Sequence, residues 1–254
     1  EFLGADAVVV PISCNDAIDR GSLSAYLEPK TKIGSPFVIA NMEAAMQRGK
    51  RAVCGWEANG GFLTGSVIRR ADKILPALPT RDAVLPIIAV LAAAKEQRIS
   101  LIDLFKQLPQ RHSRAALIKE FPREKSLSML RRYSPMDPKV CEVDFSGQSP
   151  QCRSAENAMV ECAAEVSEVM RDIRQALMEH FSMARGFGAI DRINFLDGVR
   201  ILFNNGDVAH LRPSGNADEL RIYAVADTQH RADEITRMAV AEPNGILRRM
   251  SNGL

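Results

Sequence analysis

The sequence offers little to a polyanion. Lys and Arg number 33 against 31 Asp and Glu over 254 residues, a formal charge of only +2. So weak a field does not hold a phosphate polymer, which argues against a nucleic-acid binder and leaves room only for a local basic pocket. No apolar run approaches the length of a membrane span and no signal peptide is visible, so a cytoplasmic protein with no membrane partner is expected. Low-complexity tracts and internal repeats are also missing, and the 46% hydrophobic, 25% charged composition is that of an ordinary globular chain. The opening "EFLGADAVVV" carries no methionine and reads as the start of an excised or processed piece. Cysteines are few: Cys14, Cys54, Cys141, Cys152 and Cys162 are odd in number, widely spaced and without a CxxC pair. That spacing argues against zinc and is read as incidental thiols in a reducing compartment.

What is present suggests two domains, by length alone. "ADAVVVPIS" is a short β-branched run ending in a turn, and "RAVCGW" reads as a second strand. Between them lies a helix over Ser35–Gly49, with Ser35 as N-cap, Pro36 in the first turn and Gly49 as the stop. Thr80 is read as the cap of "RDAVLPIIAVLAAAKE", a helix apolar nearly all round and therefore expected to be buried. This alternation of strands and helices predicts an α/β first domain, a mixed sheet with helices, over residues 1–118.

The polar, proline-bearing stretch "LPQRHSRAALIKEFP" is read as a linker. Beyond it, Ala155, Met159, Cys162, Val166, Val169, Ile173 and Leu177 recur at three- and four-residue steps, predicting one amphipathic helix capped by Ser154. "GVRILFNNGDVAHLRPSGN" holds two strands around Asn205-Gly206, a strong hairpin signal, and "ELRIYAVA" gives a third. A last helix near "RADEITRMAVA" would cover the sheet. The second domain, residues 119–254, is therefore expected to be α+β and mostly antiparallel.

Three stretches are candidates for chemistry. In "HLRPSGNADELR", Arg212 and Arg221 can each present a planar fork of donors, and Ser214 and Asn216 add side-chain donors. Gly215 is expected to let backbone N–H groups turn inward as an anion nest; an ordinary turn flanked by surface arginines explains the same residues equally well. In "GWEANGGFLTG", Glu57 stands at the mouth of a strand, followed by Asn59, Gly60 and Gly61. A carboxylate beside an amide accepts from vicinal hydroxyls and glycines permit close approach, although a plain strand-to-turn connection is the commoner use of such a loop. In "TKIGSP", Lys32 precedes a glycine turn at a helix start, a weak anion signal.

These stretches, in this order, resemble the α-D-phosphohexomutase superfamily, specifically the C-terminal half of its phosphomannomutase group. "ADAVVVPISCNDAID", "GWEANGGFLTGS", "TRDAVLPIIAVLAAAKE" and "DGVRILFNNGDVAHLRPSGNADELRIYAVAD" carry the likeness, which is weakest between about Ser126 and Asn194. The resemblance implies that residues 1–118 are the third domain of that family and residues 119–254 the fourth, with a TATA-box-binding-protein-like fold. It implies that Glu57, Asn59, Gly60 and Gly61 read sugar hydroxyls. Arg212, Ser214, Gly215, Asn216 and Arg221 would bind phosphate, and Lys32 would assist proton transfer. Many members carry Glu-x-Ser-Gly-His in the sugar loop, where this chain has Asn59 and Gly61.

The family's phosphoserine motif and Asp-rich Mg²⁺ loop are not found in the chain. The implied function is therefore the C-terminal part of a phosphomannomutase, interconverting mannose 6-phosphate and mannose 1-phosphate through a hexose bisphosphate. Mg²⁺ is expected in the full-length enzyme, no cofactor in this piece, and the piece alone is expected to be inactive. Expected partners are mannose or glucose phosphates and the N-terminal domains of the same protein. Two alternatives stay open: a stand-alone, non-catalytic sugar-phosphate module, and a phosphoglucomutase or phosphoglucosamine mutase.

Overall fold

The computed structural model of the chain describes residues 3–70 and 72–252. It divides into two compact units, residues 1–110 and 111–254. The first unit begins with β1 (Ala7–Val9), the short α1 (Ala17–Arg20), and α2 (Ser35–Gln47). β2 (Val53–Trp56), β3 (Phe62–Thr64), β4 (Ile68–Arg70), β5 (Lys73–Leu75) and β6 (Leu78–Asp82) follow, and α3 (Val84–Gln97) and α4 (Leu101–Lys106) close the unit. The main sheet has the order β1-β2-β3-β6, with β1 and β2 parallel and the remaining pairs antiparallel. This is the mixed sheet with helices that the alternation predicts.

The parallel pair requires a crossover, and α2 supplies it. Val38, Met42 and Ala45 of α2 pack on Ala7, Val9, Val53 and Leu63 of the sheet. Close approach is possible because β2 carries Gly55, where a Cβ would stand 2.7 Å from the Val9 carbonyl oxygen and 2.8 Å from Val38. On the sheet's other face, Val8, Val10, Cys14, Ile18 and Cys54 form a second cluster backed by Trp56 and Phe62. Burial pushes the Cys14 thiol up to about 12 and the Cys54 thiol to about 11, so both are inert packing groups.

Two readings of this unit are corrected. Thr80 lies within β6, and the start of α3 is held instead by Asp82, whose Oδ1 accepts from the amides of Val84 (2.7 Å) and Leu85 (3.2 Å). A carboxylate there also suits the positive helix end, and Pro86 sits in the first turn where its missing N–H costs nothing. The helix is not buried: among its residues only Ala93 and Ala94 are, while Val84, Ile87, Ile88 and Leu91 stand exposed.

The second unit runs through β7 (His112–Lys119), α5 (Arg123–Arg131), β8 (Glu142–Asp144), β9 (Gln151–Arg153), β10 (Met159–Val160) and α6 (Ala164–His180). Then come β11 (Ile190–Asn194), β12 (Val199–Phe203), β13 (Val208–Pro213), β14 (Glu219–Ala226), α7 (Gln229–Val240) and α8 (Ile246–Ser251). Its eight strands are ordered β10-β9-β8-β11-β12-β13-β14-β7, and every pair is antiparallel. Helices cover one face, where Met129, Met170, Leu177, Ile235 and Leu247 meet Val143, Ile193, Ile201, Leu211 and Ile222. The α+β, antiparallel expectation is what the structure contains.

The stretch read as a linker is β7, an edge strand paired with β14 from His112↔Ala226 to Lys119↔Glu219. The division accordingly falls between Gln110 and Arg111, ahead of the expected 118/119 boundary. The helix expected from Ser154 begins only at Ala164, because the residues before it make a small β9–β10 hairpin. Asn157, with φ 63°, turns that hairpin, and the Ala158 carbonyl accepts from the Ser154 amide at 2.8 Å. Cys152 and Cys162 are joined as a disulfide in the same region. The thiols are thus not all free, and the inference of a reducing compartment loses that support. The described residues include no helix long and apolar enough to cross a membrane.

Candidate functional site

In the first unit, β2 delivers Glu57 to a tight loop. The Glu57 amide donates to the Gly61 carbonyl (2.9 Å) and the Gly60 amide to the Glu57 carbonyl (3.0 Å). Gly60 adopts φ 89°, a conformation that favours glycine. Asn59 Oδ1 accepts from the Gly61 amide at 3.1 Å, so this side chain shapes the loop with its carbonyl. Asn59 and Gly60 are exposed, whereas Gly61 is buried.

Glu57 is only 7% exposed, unusual for a carboxylate that does not cap a helix. Two groups compensate it. The Ser35 hydroxyl donates to Oε2 at 2.9 Å, and Arg81 Nε lies 3.8 Å from the same oxygen. Ser35 is therefore not the helix cap. Gly34, at φ 133°, occupies that position, and Ser35 begins α2 with its hydroxyl turned to Glu57. Lys32 is exposed in the preceding turn, where its carbonyl accepts from the Thr31 hydroxyl at 2.8 Å. Ser35, not Lys32, is the residue that the turn brings onto the carboxylate.

In the second unit, the register of β13 and β14 sets Arg212 directly opposite Arg221. Like charges in cross-strand positions repel, and each arginine is met by its own carboxylate. Arg212 Nε donates to Asp197 Oδ1 at 3.0 Å, and Arg221 donates to Glu219 Oε2 from Nε (3.2 Å) and Nη2 (2.8 Å). Asp197 stands in the turn before β12. There Gly198, at φ 88°, passes so close to β13 that a Cβ would lie 2.2 Å from the Leu211 carbonyl oxygen.

The Asp197 carbonyl accepts from His210 Nε2 at 2.6 Å, which fixes the proton of the neutral ring on that nitrogen. Burial pushes the His210 pKa down to about 4. Its Nδ1 is buried without a hydrogen-bond partner among the described residues. His210 is thus a neutral strut under the Asp197–Arg212 pair.

Ser214 is buried, and its amide donates to the Glu219 carbonyl at 2.9 Å, closing the loop. Asn216 is exposed, and its amide reaches Ser214 Oγ at 3.5 Å. Gly215 corrects an expectation. An anion nest alternates right- and left-handed residues, but Gly215 is not among the glycines with left-handed φ. A Cβ at Gly215 would meet nothing within 4 Å, so the bend needs no glycine. Ser35, Arg81, Asp197, His210 and Glu219 are the participants that sequence reasoning missed. The last two lie inside the stretch it singled out.

No three or more His, Cys, Asp or Glu side chains among the described residues are grouped to hold a metal ion.

Comparison with known proteins places both units. Residues 2–112 match the model for phosphoglucomutase/phosphomannomutase, alpha/beta/alpha domain III. Residues 152–242 match that for the phosphoglucomutase/phosphomannomutase C-terminal domain. The phosphomannomutase of Salmonella muenchen is 35% identical over 94% of this chain, and that of Sinorhizobium fredii (strain NBRC 101917 / NGR234) is 32% identical over 96%. The chain spans about two-fifths of those relatives, 41% and 42% of their lengths. A phosphoglucomutase/phosphomannomutase family protein from Burkholderia thailandensis shares the fold, with a TM-score of 0.51 and 15% identity, over 98% of this chain and 38% of its own. The chain belongs to the phosphoglucomutase/phosphomannomutase family and carries its domain III and its C-terminal domain.

Proposed function

We propose that this chain supplies the sugar-reading and phosphate-holding loops of a phosphomannomutase. The single observation that carries the reading is the cross-strand Arg212–Arg221 pair, two guanidinium groups set opposite one another at the head of one loop, with Arg212 Nε donating to Asp197. Two planar forks facing one loop suit a phosphate dianion. In the first unit, the buried Glu57 carboxylate and the Asn59 amide are the acceptor and donor that a polyhydroxylated ring requires.

In the complete enzyme, a phosphoserine elsewhere in the protein would donate its phosphoryl group to a hexose monophosphate. The bisphosphate would reorient and return its other phosphoryl group. Mg²⁺, held by the rest of such a protein, would neutralise charge on the phosphoryl group in transfer. Residues of this chain hold the substrate: Arg212 and Arg221 bind the phosphate not being transferred, and Glu57 fixes the ring through its hydroxyls. Lys32, exposed before α2, would serve proton transfer at the reacting hydroxyl. Mannose phosphate is the proposed substrate, in keeping with both curated relatives.

Calorimetric titration with mannose 6-phosphate tests the phosphate assignment. Arg212→Ala is expected to weaken binding on the order of tenfold or more, since hydrogen bonds to charged groups contribute about 1.5–3 kcal/mol. Binding that survives the double variant Arg212→Ala/Arg221→Ala overturns it.

A further inference from the structure

The two glycines of the Glu57 loop are there for different reasons. Gly60 needs its φ of 89° and has open space around it. Gly61 has no left-handed φ, so its backbone would accept any residue. Its surroundings would not. A Cβ at Gly61 would lie 2.6 Å from both Cδ and Cγ of Arg81 and 3.2 Å from its Cβ. The near end of the arginine stem, not only its flexible tip, occupies that space. Gly61 is a glycine because Arg81, on β6, crosses the loop there.

The crossing leaves the guanidinium beside the buried carboxylate. Arg81 Nε is 3.8 Å from Glu57 Oε2, an ion-pair distance too long for a hydrogen bond, while Ser35 makes the hydrogen bond to that oxygen. The Arg81 side chain is 61% exposed, against 7% for Glu57. A rigid donor fork therefore stands at the surface next to a sunken acceptor. Adjacent sugar hydroxyls match that pairing, one donating to the carboxylate and its neighbour accepting from the guanidinium.

We infer that Arg81 is a substrate-contacting, specificity-determining residue of the sugar loop. It donates to the hydroxyl oxygen adjacent to the one that Glu57 binds, and Gly61 is the opening through which it reaches that place. The inference rests on the reading of the Glu57 loop given above, within the first unit alone. The ligand class is a hexose monophosphate with vicinal hydroxyls.

The test compares the wild-type chain with Glu57→Gln, Arg81→Ala and Arg81→Lys, titrated by NMR with mannose 6-phosphate and separately with inorganic phosphate. Arg81→Ala is expected to weaken mannose 6-phosphate binding about tenfold or more, with inorganic phosphate unchanged. Arg81→Lys should recover only part of the loss, because an ammonium keeps the charge without the fork. Glu57→Gln should weaken the sugar phosphate as well. If Glu57→Gln weakens binding and Arg81→Ala does not, the Arg81 inference fails and the sugar-loop reading stands. If neither variant changes mannose 6-phosphate affinity, both fail. A thermal-melt cycle checks the geometry: Gly61→Ala should lower Tm in the wild-type chain and be tolerated beside Arg81→Ala. An equal loss in both backgrounds overturns the crossing.

Discussion

His210 makes the second unit's stability depend on pH in a calculable way. The ring is enclosed and neutral, its pKa pushed down to about 4 from the ordinary 6.5 by burial, against the hydrogen bond to the Asp197 carbonyl, which acts to raise it. The sign follows from proton counting. Between those two values the unfolded chain binds a proton that the native state refuses, so stability is full above the unfolded pKa and is lost as pH falls toward the folded one. From pH 7 to pH 5, linkage gives a loss of roughly 2 kcal/mol from this one group. The comparison variant is His210→Gln, whose side-chain amide can still donate to the Asp197 carbonyl and does not titrate. Urea unfolding, read from amide signals of β13 and β14 at both pH values, isolates the unit that holds the residue. The wild-type chain should lose about 2 kcal/mol more than the variant across that interval. Parallel pH dependences in the two proteins would refute the claim that His210 is neutral and enclosed.

Two further outcomes follow from the same loop. Gly198→Ala places a methyl group about where the Leu211 carbonyl oxygen already stands, at a φ of 88°, and should cost roughly 1–3 kcal/mol or more, seen as a lowered melting temperature. An unchanged melt would mean that β12 and β13 are not so closely apposed. Glu219→Gln removes the carboxylate that occupies Arg221, so inorganic phosphate should bind several-fold more tightly. Weaker phosphate binding by that variant would show that Glu219 positions the arginine and does not compete for it.

Elements stabilised by neighbours in sequence were legible, and those defined by distant partners were not. Apolar, β-branched runs marked β1 and β2, and Asn205-Gly206 marked the β12–β13 turn, where Gly206 takes φ 87°. β7 was missed because its partner β14 lies about a hundred residues away, and the polar residues around "AALIK" look like linker when read locally. The helix expected from Ser154 had the right spacing, but pairing of β10 with β9 and the Cys152–Cys162 link override periodicity there. Thr80 was read as the cap of α3, but pairing of its strand with β3 places it within β6, and Asp82 two residues on holds the helix start. At the candidate site, the arginines and Glu57 stood out by residue type. Their counter-ions did not, because Asp197 reaches Arg212 across a strand pair and Arg81 reaches Gly61 across a bulged one.

The central claim, that the Glu57 and Arg212–Arg221 loops are the ligand-binding parts of this chain, is tested most directly by mapping. In amide NMR titrations, with each unit read by itself, mannose 6-phosphate should shift the signals of residues 57–61 in the first, and both mannose 6-phosphate and inorganic phosphate should shift those of residues 212–221 in the second. Shifts confined to other surfaces, or the same shifts in the Arg212→Ala/Arg221→Ala chain, would contradict it.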